Sequence, residues 1–306
     1  MEILNAVSPY QIQEGGVFEV ICNENFLPDE VAVIKKFDSK EYGIVELLII
    51  KALYKYGVLN KYNLEKVINC KLKPELQKPK YDNNIRNLIQ QGAIQMLMYN
   101  IGTETQLIVY ALMSGTYSYM RKKYSKFPHT SAAPVMQERI DEAEKVAAIM
   151  ERLSLNQWHI GITSGYINDI YQELYYMKKR FGLKRIPVQS YIELKIGDGT
   201  GVKKNVGLIG IPYAKDTATT EKMMQTIALM QIMNNAVTSR THCLPVIICE
   251  SLAAMEKAGN ELRKIDKNVN PLFSIDRNNT NRDSLKWLYE YKQAGENSIY
   301  EIFRFI

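Results

Sequence analysis

Long apolar runs are missing from this 306-residue chain. No stretch approaches the ~20 apolar residues that a membrane-spanning helix needs, so no membrane partner is expected. The opening residues, Met1-Glu2-Ile3-Leu4, lack a basic segment followed by an apolar one, so no secretory leader is expected either. Cysteine is sparse: Cys22, Cys70, Cys243 and Cys249 are scattered without a Cys-x-x-Cys pair, which suits free thiols in a reducing cytoplasm. The three histidines, His129, His159 and His242, stand apart in the chain. Such isolated ligands offer no tetrahedral zinc spacing and nothing that resembles a catalytic triad. Gly197-x-Gly199-x-Gly201 is followed by no Lys-Ser/Thr and opens no helix, so it reads as a turn rather than a phosphate loop. Neither a metal nor a cofactor is expected, and no repeat or low-complexity segment is visible.

What the chain does have is unevenly placed charge. Residues 41–126 hold 13 Lys and Arg against six Asp and Glu, a net +7, whereas the whole protein carries +6. Residues 1–40 are acidic, at −4, and form an N-terminal extension in this reading. A basic excess on one module is what a phosphate-binding surface requires, because neutralised phosphates release counterions.

That basic module has an ordered pattern. Apolar residues at Ile44, Leu47, Leu48 and Ala52 predict a helix over 41–56, ended by Gly57. Asn60 and Asn63 are candidate N-caps for a second helix carrying Leu64, Val67 and Ile68. After the Lys/Pro-rich connection 71–79, a third helix is predicted over 80–91, with Pro79 near its start and Tyr81, Ile85, Leu88 and Ile89 turned inward. Gly92 closes it. Two strand-like runs, 93–99 and 106–113, then flank a turn at 100–103. Three helices followed by a two-stranded wing is the order of a winged helix–turn–helix, with the third helix as groove reader.

The candidate DNA-binding residues follow from that layout. Lys80, Asn83, Asn84, Arg86 and Asn87 lie on the outward face of the third helix, and Lys71, Lys73 and Lys78 on the connection before it. Asn pairs with adenine, Arg with guanine, and Lys neutralises phosphate. Arg121, Lys122 and Lys123 follow the wing and suit a backbone clamp, whereas the wing tip carries Glu104 and no cation.

Residues 127–134, Phe-Pro-His-Thr-Ser-Ala-Ala-Pro, mark a boundary by their two prolines and small residues. With the amphipathic helix that follows, they make a segment 127–153 between the two domains. Its stripe, Ile140, Ala143, Val146, Ala147 and Met150, suits core packing or, as the alternative, pairing with a second copy. From 154 to 306 the pattern is α/β. We expect a strand at 158–163, a helix around 167–175, a hairpin of 188–196 with 202–211 and a Met-rich helix over 219–235. Beyond these come strand 244–249, helix 251–263, strand 272–275, a helix near 283–291 and an edge strand at 299–305. The expected class is α+β, with an N-terminal winged helix and a mixed-sheet second domain.

Asn84-Ile85-Arg86-Asn87-Leu88-Ile89-Gln90-Gln91-Gly92-Ala93-Ile94 and Leu244-Pro245-Val246-Ile247-Ile248-Cys249-Glu250-Ser251 carry a family resemblance. The chain resembles the replication-relaxation proteins of Gram-positive plasmids and mobile elements over roughly residues 41–295. That resemblance implies a winged helix joined to a degenerate restriction-endonuclease-like domain, and DNA binding in plasmid replication, copy control or transfer.

An enzyme reading rests on Glu193-Leu194-Lys195, since an acid and a Lys two apart share a strand face, where metal and water are handled in nuclease folds. The cage looks incomplete: residues 187–190 just before Glu193 hold no Asp, Asp198 sits in the Gly-rich turn and 207–211 is neutral. The expectation is therefore a cytoplasmic, non-enzymatic DNA-binding protein of a plasmid, phage or integrative element. Its partners would be double-stranded DNA, a second copy of the chain, and replication or transfer proteins. The alternatives are a metal-dependent nuclease using Glu193 and Lys195, and a winged-helix protein–protein adaptor.

Overall fold

The computed structural model describes residues 8–22, 30–77, 80–124, 142–163, 170–173, 177–181, 184–188, 190–197, 203–212, 241–265, 271–275, 288–294 and 297–302. The boundary segment 127–134, Pro79, the 198–202 turn and the Met-rich helix expected over 219–235 lie outside these residues. The class is α+β, and the chain divides into two compact units: Ile12–Leu153, and Met1–Gln11 together with Ser154–Ile306.

The first unit runs β1 (Gly16–Ile21), α1 (Glu30–Asp38), α2 (Ile44–Tyr56), β2 (Val58–Asn60), α3 (Lys61–Asn69), a short 3-10 turn (Pro74–Leu76), α4 (Asp82–Gln90), β3 (Ile94–Ile101), β4 (Glu104–Leu112) and α5 (Ser114–Lys123). Of the residues expected as an extension, 12–40 contribute β1 and α1 to this unit. A further helix, α6 (Glu142–Thr163), begins here and belongs to the second unit from Ser154 onward.

Local chemistry sets the ends of α2 and α4 and the start of α3 where the sequence places them. Gly57 takes φ 80°, and its N–H donates to Leu53 O, closing α2. The Asn60 carbonyl oxygen Oδ1 accepts from the Asn63 N–H at 2.8 Å and so caps α3. Gly92, at φ 66°, lets the chain turn after α4: its N–H bonds Ile89 O while the Ala93 N–H reaches Leu88 O at 2.9 Å. Those two bonds form a Schellman motif, open to Gly because the left-handed region costs it nothing. α2 packs on α3, α4 and β4, and the core gathers Ile49, Ile50, Leu53, Leu64, Ile68, Leu88, Leu97 and Val109, all essentially inaccessible to water. Each such side chain contributes roughly 1.5–3 kcal/mol through burial.

The sheet of this unit has the order β1-β3-β4-β2. β3 and β4 form the expected hairpin, with Gly102 at φ 59° in its turn and a register shift between Tyr99 and Asn100. β1 pairs antiparallel with β3 from Gly16↔Ile101 to Ile21↔Met96. Gly16 is sterically required there, since a Cβ would lie 1.9 Å from the Tyr99 hydroxyl.

The second unit carries β5 (Ile170–Glu173), a separate hairpin β6 (Met177–Phe181) and β7 (Lys184–Val188), then β8 (Ser190–Gly197), β9 (Lys203–Pro212), β10 (Thr241–Cys249), α7 (Leu252–Ile265), β11 (Leu272–Ile275), β12 (Tyr289–Ala294) and β13 (Asn297–Ile302). Seven of these strands form one mixed sheet, β13-β12-β11-β10-β9-β8-β5, in which β9, β10 and β11 run parallel. Leu155, Trp158 and Ile162 of α6 pack with Ile192, Leu208, Val246 and Ile248. Met255, Ala258 and Leu262 of α7 pack with Ile247, Cys249 and Phe273. Val246 and Ile248 alternate with Ile247 and Cys249, so β10 is buried on both faces, and its continuous apolar run follows from that.

Three expected elements are corrected. Trp158–Thr163 is not a strand but the last part of α6. Its β-branched run is outweighed by helix already propagating from the preceding turns. Ile170–Glu173, expected within a helix, pairs as a strand with Tyr191–Leu194. Tyr289–Tyr291, expected at a helix end, opens β12, which is held between β11 and β13. The hairpin of β8 with β9, the strands at 244–249 and 272–275, and the terminal edge strand fall where the sequence pattern places them.

Candidate nucleic-acid interface

α4 separates its residues by face. Tyr81, Ile85 and Leu88 are buried, whereas Asn83, Arg86, Asn87 and the preceding Lys80 are exposed. Spacings of three and four place the inward residues on one stripe and leave the polar ones opposite. The entry to α4 is tied down by polar contacts. The Tyr81 hydroxyl donates to Asn69 Oδ1 at 2.5 Å, and Gln77 Nε2 donates to Asn69 O at 2.9 Å and Leu72 O at 3.1 Å. Lys71 and Lys73 are exposed on that connection, and Lys78 lies outside the described residues.

Charge at the start of α4 is mixed. Lys61 of α3 forms an ion pair with Asp82, which holds the Lys61 ammonium above its ordinary range and the Asp82 carboxyl below its own. Both side chains are well exposed, at 38% and 49%, so the pair adds little stability. Beside it, burial raises the Glu65 carboxyl, an effect opposed by Lys61 and by the Tyr81 backbone N–H.

Asn84 is not free on the surface. It is half-buried, and its Nδ2 donates to Glu46 Oε1 of α2 at 2.5 Å. Sequence reasoning missed Glu46, since nothing local connects two positions 38 apart. On the same helix, Lys55 is pushed down to about 8 by burial and by the nearby Lys71 charge.

The second basic group lies at the end of α5, where Arg121, Lys122 and Lys123 are exposed. Lys123 is occupied: its ammonium donates to the Tyr119 hydroxyl at 2.9 Å and sits 5.5 Å from the Phe37 ring centroid, over a Phe37–Tyr119 stack of 4.2 Å. The hydroxyl bond holds the Lys123 ammonium above its ordinary range. Phe37 lies on α1, whose Lys36 donates to Gln91 O beyond the end of α4 at 3.1 Å. Thus α1 touches both the C-cap of α4 and the basic end of α5. The β3–β4 turn is unsuited to phosphate: Glu104 accepts from Gln106, and Asn100 donates to Glu19.

In the second unit, Glu193 sits opposite Gly207 and Tyr171, and Lys195 opposite Asn205. They hold alternate register to the buried Ile192, and Asp198 lies outside the described residues. Among the described residues no group of three His, Cys, Asp or Glu is placed to hold a metal, and no helix is long and apolar enough to cross a membrane. Comparisons with family models, with characterised proteins and with solved structures give no match.

Proposed function

We propose that residues 41–126 act as a winged helix–turn–helix that binds double-stranded DNA, with α4 entering the major groove. The observation that carries this reading is the exposed face of α4, which offers Lys80, Asn83, Arg86 and Asn87 while the opposite face is packed into the core. The local net charge of +7 supports it, because counterion release rewards a concentrated cation set. Arg121 and Lys122 at the end of α5 serve as backbone contacts, and the acidic hairpin tip stays off the DNA. The setting is a plasmid, phage or integrative element, in replication, copy control or transfer. That setting rests on the resemblance of 84–94 and 244–251 to replication-relaxation proteins. The second unit acts without catalysis, through contacts with another copy or with replication or transfer proteins.

The test is a gel-shift with the full chain and a pool of random duplexes across a salt series. Binding should weaken with a log–log slope of about −0.9 per phosphate neutralised. A folded chain that retains no duplex at low salt would favour the protein–protein adaptor instead.

A further inference from the structure

We infer that Glu46 is a positioning residue that decides how α4 reads bases, by holding the Asn84 amide in one orientation. The inference rests on the DNA-binding reading above and adds to it which Asn side chains are available to a base.

The geometry begins at the start of α2. Gly43 is the N-cap residue and Glu46 lies three positions on, the spacing at which a carboxylate folds back over its own helix start. Glu46 does fold back: its Oε2 lies 2.7 Å from where a Cβ on Gly43 would stand, so a side chain at position 43 would push the carboxylate from this place. The other oxygen, Oε1, accepts from Asn84 Nδ2 at 2.5 Å. A carboxylate has no hydrogen to give, so the atom of Asn84 turned toward it must be the nitrogen. Both residues are half-buried, which strengthens a charge-assisted bond relative to one in open water.

An unrestrained Asn recognises adenine with its oxygen and its nitrogen together. With one Nδ2 hydrogen given to Glu46, the amide plane is fixed, and Asn84 meets a base only in the orientation this bond allows. Its Oδ1 remains as an acceptor, suited to an exocyclic amino group. Asn83 and Asn87, exposed four residues apart on α4, offer further amides for paired recognition. Glu46 also places a negative charge beside the reading helix, which lowers affinity for every duplex alike. Its two effects are separable by substitution.

The experiment compares the full-length Glu46→Gln, Glu46→Ala and Gly43→Ala variants in two measurements. In the first, the Asn84 side-chain NH₂ signals are followed by NMR without DNA. They should be shifted and slow to exchange in the wild type and Glu46→Gln, and average to free-amide values in Glu46→Ala and Gly43→Ala. In the second, base preference is read by selection from randomised duplexes. Glu46→Gln should bind all duplexes more tightly with preference unchanged. Glu46→Ala and Gly43→Ala should both alter preference at one base pair by roughly tenfold, in the range of a bidentate contact. The alteration should vanish when Asn84→Ala is added. Asn84 signals indifferent to Glu46→Ala would overturn the inference, as would a released amide with unchanged base preference. A pinned amide in a chain that binds no duplex would overturn the DNA-binding reading, and with it the role assigned to Glu46 in base choice.

Discussion

Lys61 on α3 is ion-paired with Asp82, the first residue of α4, so the opening turn of α4 is tied to its neighbour by charge. A carboxylate there also favours the helix N-terminus, where unpaired N–H groups leave partial positive charge. Asp82 is depressed in the fold, so its contribution is present above the ordinary carboxylate range and is lost as pH falls through the folded value. Lys61 is raised, so its share is present below the ordinary Lys range and is lost as pH rises through the folded value. Around neutrality both operate. Asp82→Asn should therefore lower stability by no more than about 1 kcal/mol, while tightening duplex binding by removing a negative charge from the interface. Thermal melting with a parallel gel-shift checks both signs, and weaker DNA binding would contradict the placement of α4.

Lys80 and Asn87 should behave differently on substitution. Lys80 is an exposed point charge before α4, so Lys80→Ala should weaken binding to all duplexes and reduce the salt slope by about 1. Asn87 is exposed on the helix itself, so Asn87→Ala should relax discrimination at one base pair by about 1–3 kcal/mol. Titrations of matched and mismatched duplexes across salt separate the two. If Asn87→Ala leaves preference unchanged, α4 is not the reader.

The Lys55 ammonium is held down to about 8 by burial, then by Lys71, against an ordinary value of 10.5. Between these two values the unfolded chain binds more protons than the folded one, so stability rises with pH across that window. The rise should be on the order of 1–3 kcal/mol, and Lys55→Met should abolish it. Tyr42 works in the opposite sense: burial, then Glu41, pushes it up to about 12, so stability falls as pH rises from its ordinary 10 toward that value. Denaturant midpoints for wild type and Lys55→Met between pH 7 and 10 measure the difference. Equal slopes in the two proteins would show that Lys55 is solvated.

Trp158 packs against Gly210 of β9, and an added Cβ would stand 2.6 Å from its ring. Gly210→Ala should destabilise the second unit by about 1–3 kcal/mol through overpacking, with partial recovery when Trp158→Phe is added. Chemical denaturation of the single and double variants tests the coupling. A neutral Gly210→Ala would mean that α6 can shift on the sheet.

Much of the first unit is legible in the order of its residues. The stop at Gly57, the cap at Asn60 and the turn at Gly92 are interactions between residues at most five apart, so residue type and spacing suffice to place them. The exposed face of α4 follows from the same helical spacing. The strand at β10 is legible too, because a strand buried on both faces is apolar throughout.

Other features have no local signature. β1 belongs to the sheet because Phe18 is buried near Tyr99, with ring centroids 5.2 Å apart, and because Gly16 admits the Tyr99 hydroxyl; Tyr99 lies some 80 residues from either. The strand-like run from Trp158 became helix because burial between its neighbours rewards the continuous α6 more than β propensity opposes it. Asn84, which reads in sequence as one more exposed amide, is claimed by Glu46 across the packing of α2 on α4. The sequence by itself determined the stops and cap at Gly57, Asn60 and Gly92, the β3–β4 hairpin, and where the charge accumulates. Only the tertiary structure decided which of those polar side chains remain available to a ligand. A cap or a turn is settled by a few consecutive residues, whereas the freedom of a surface side chain depends on what distant parts of the chain bring beside it.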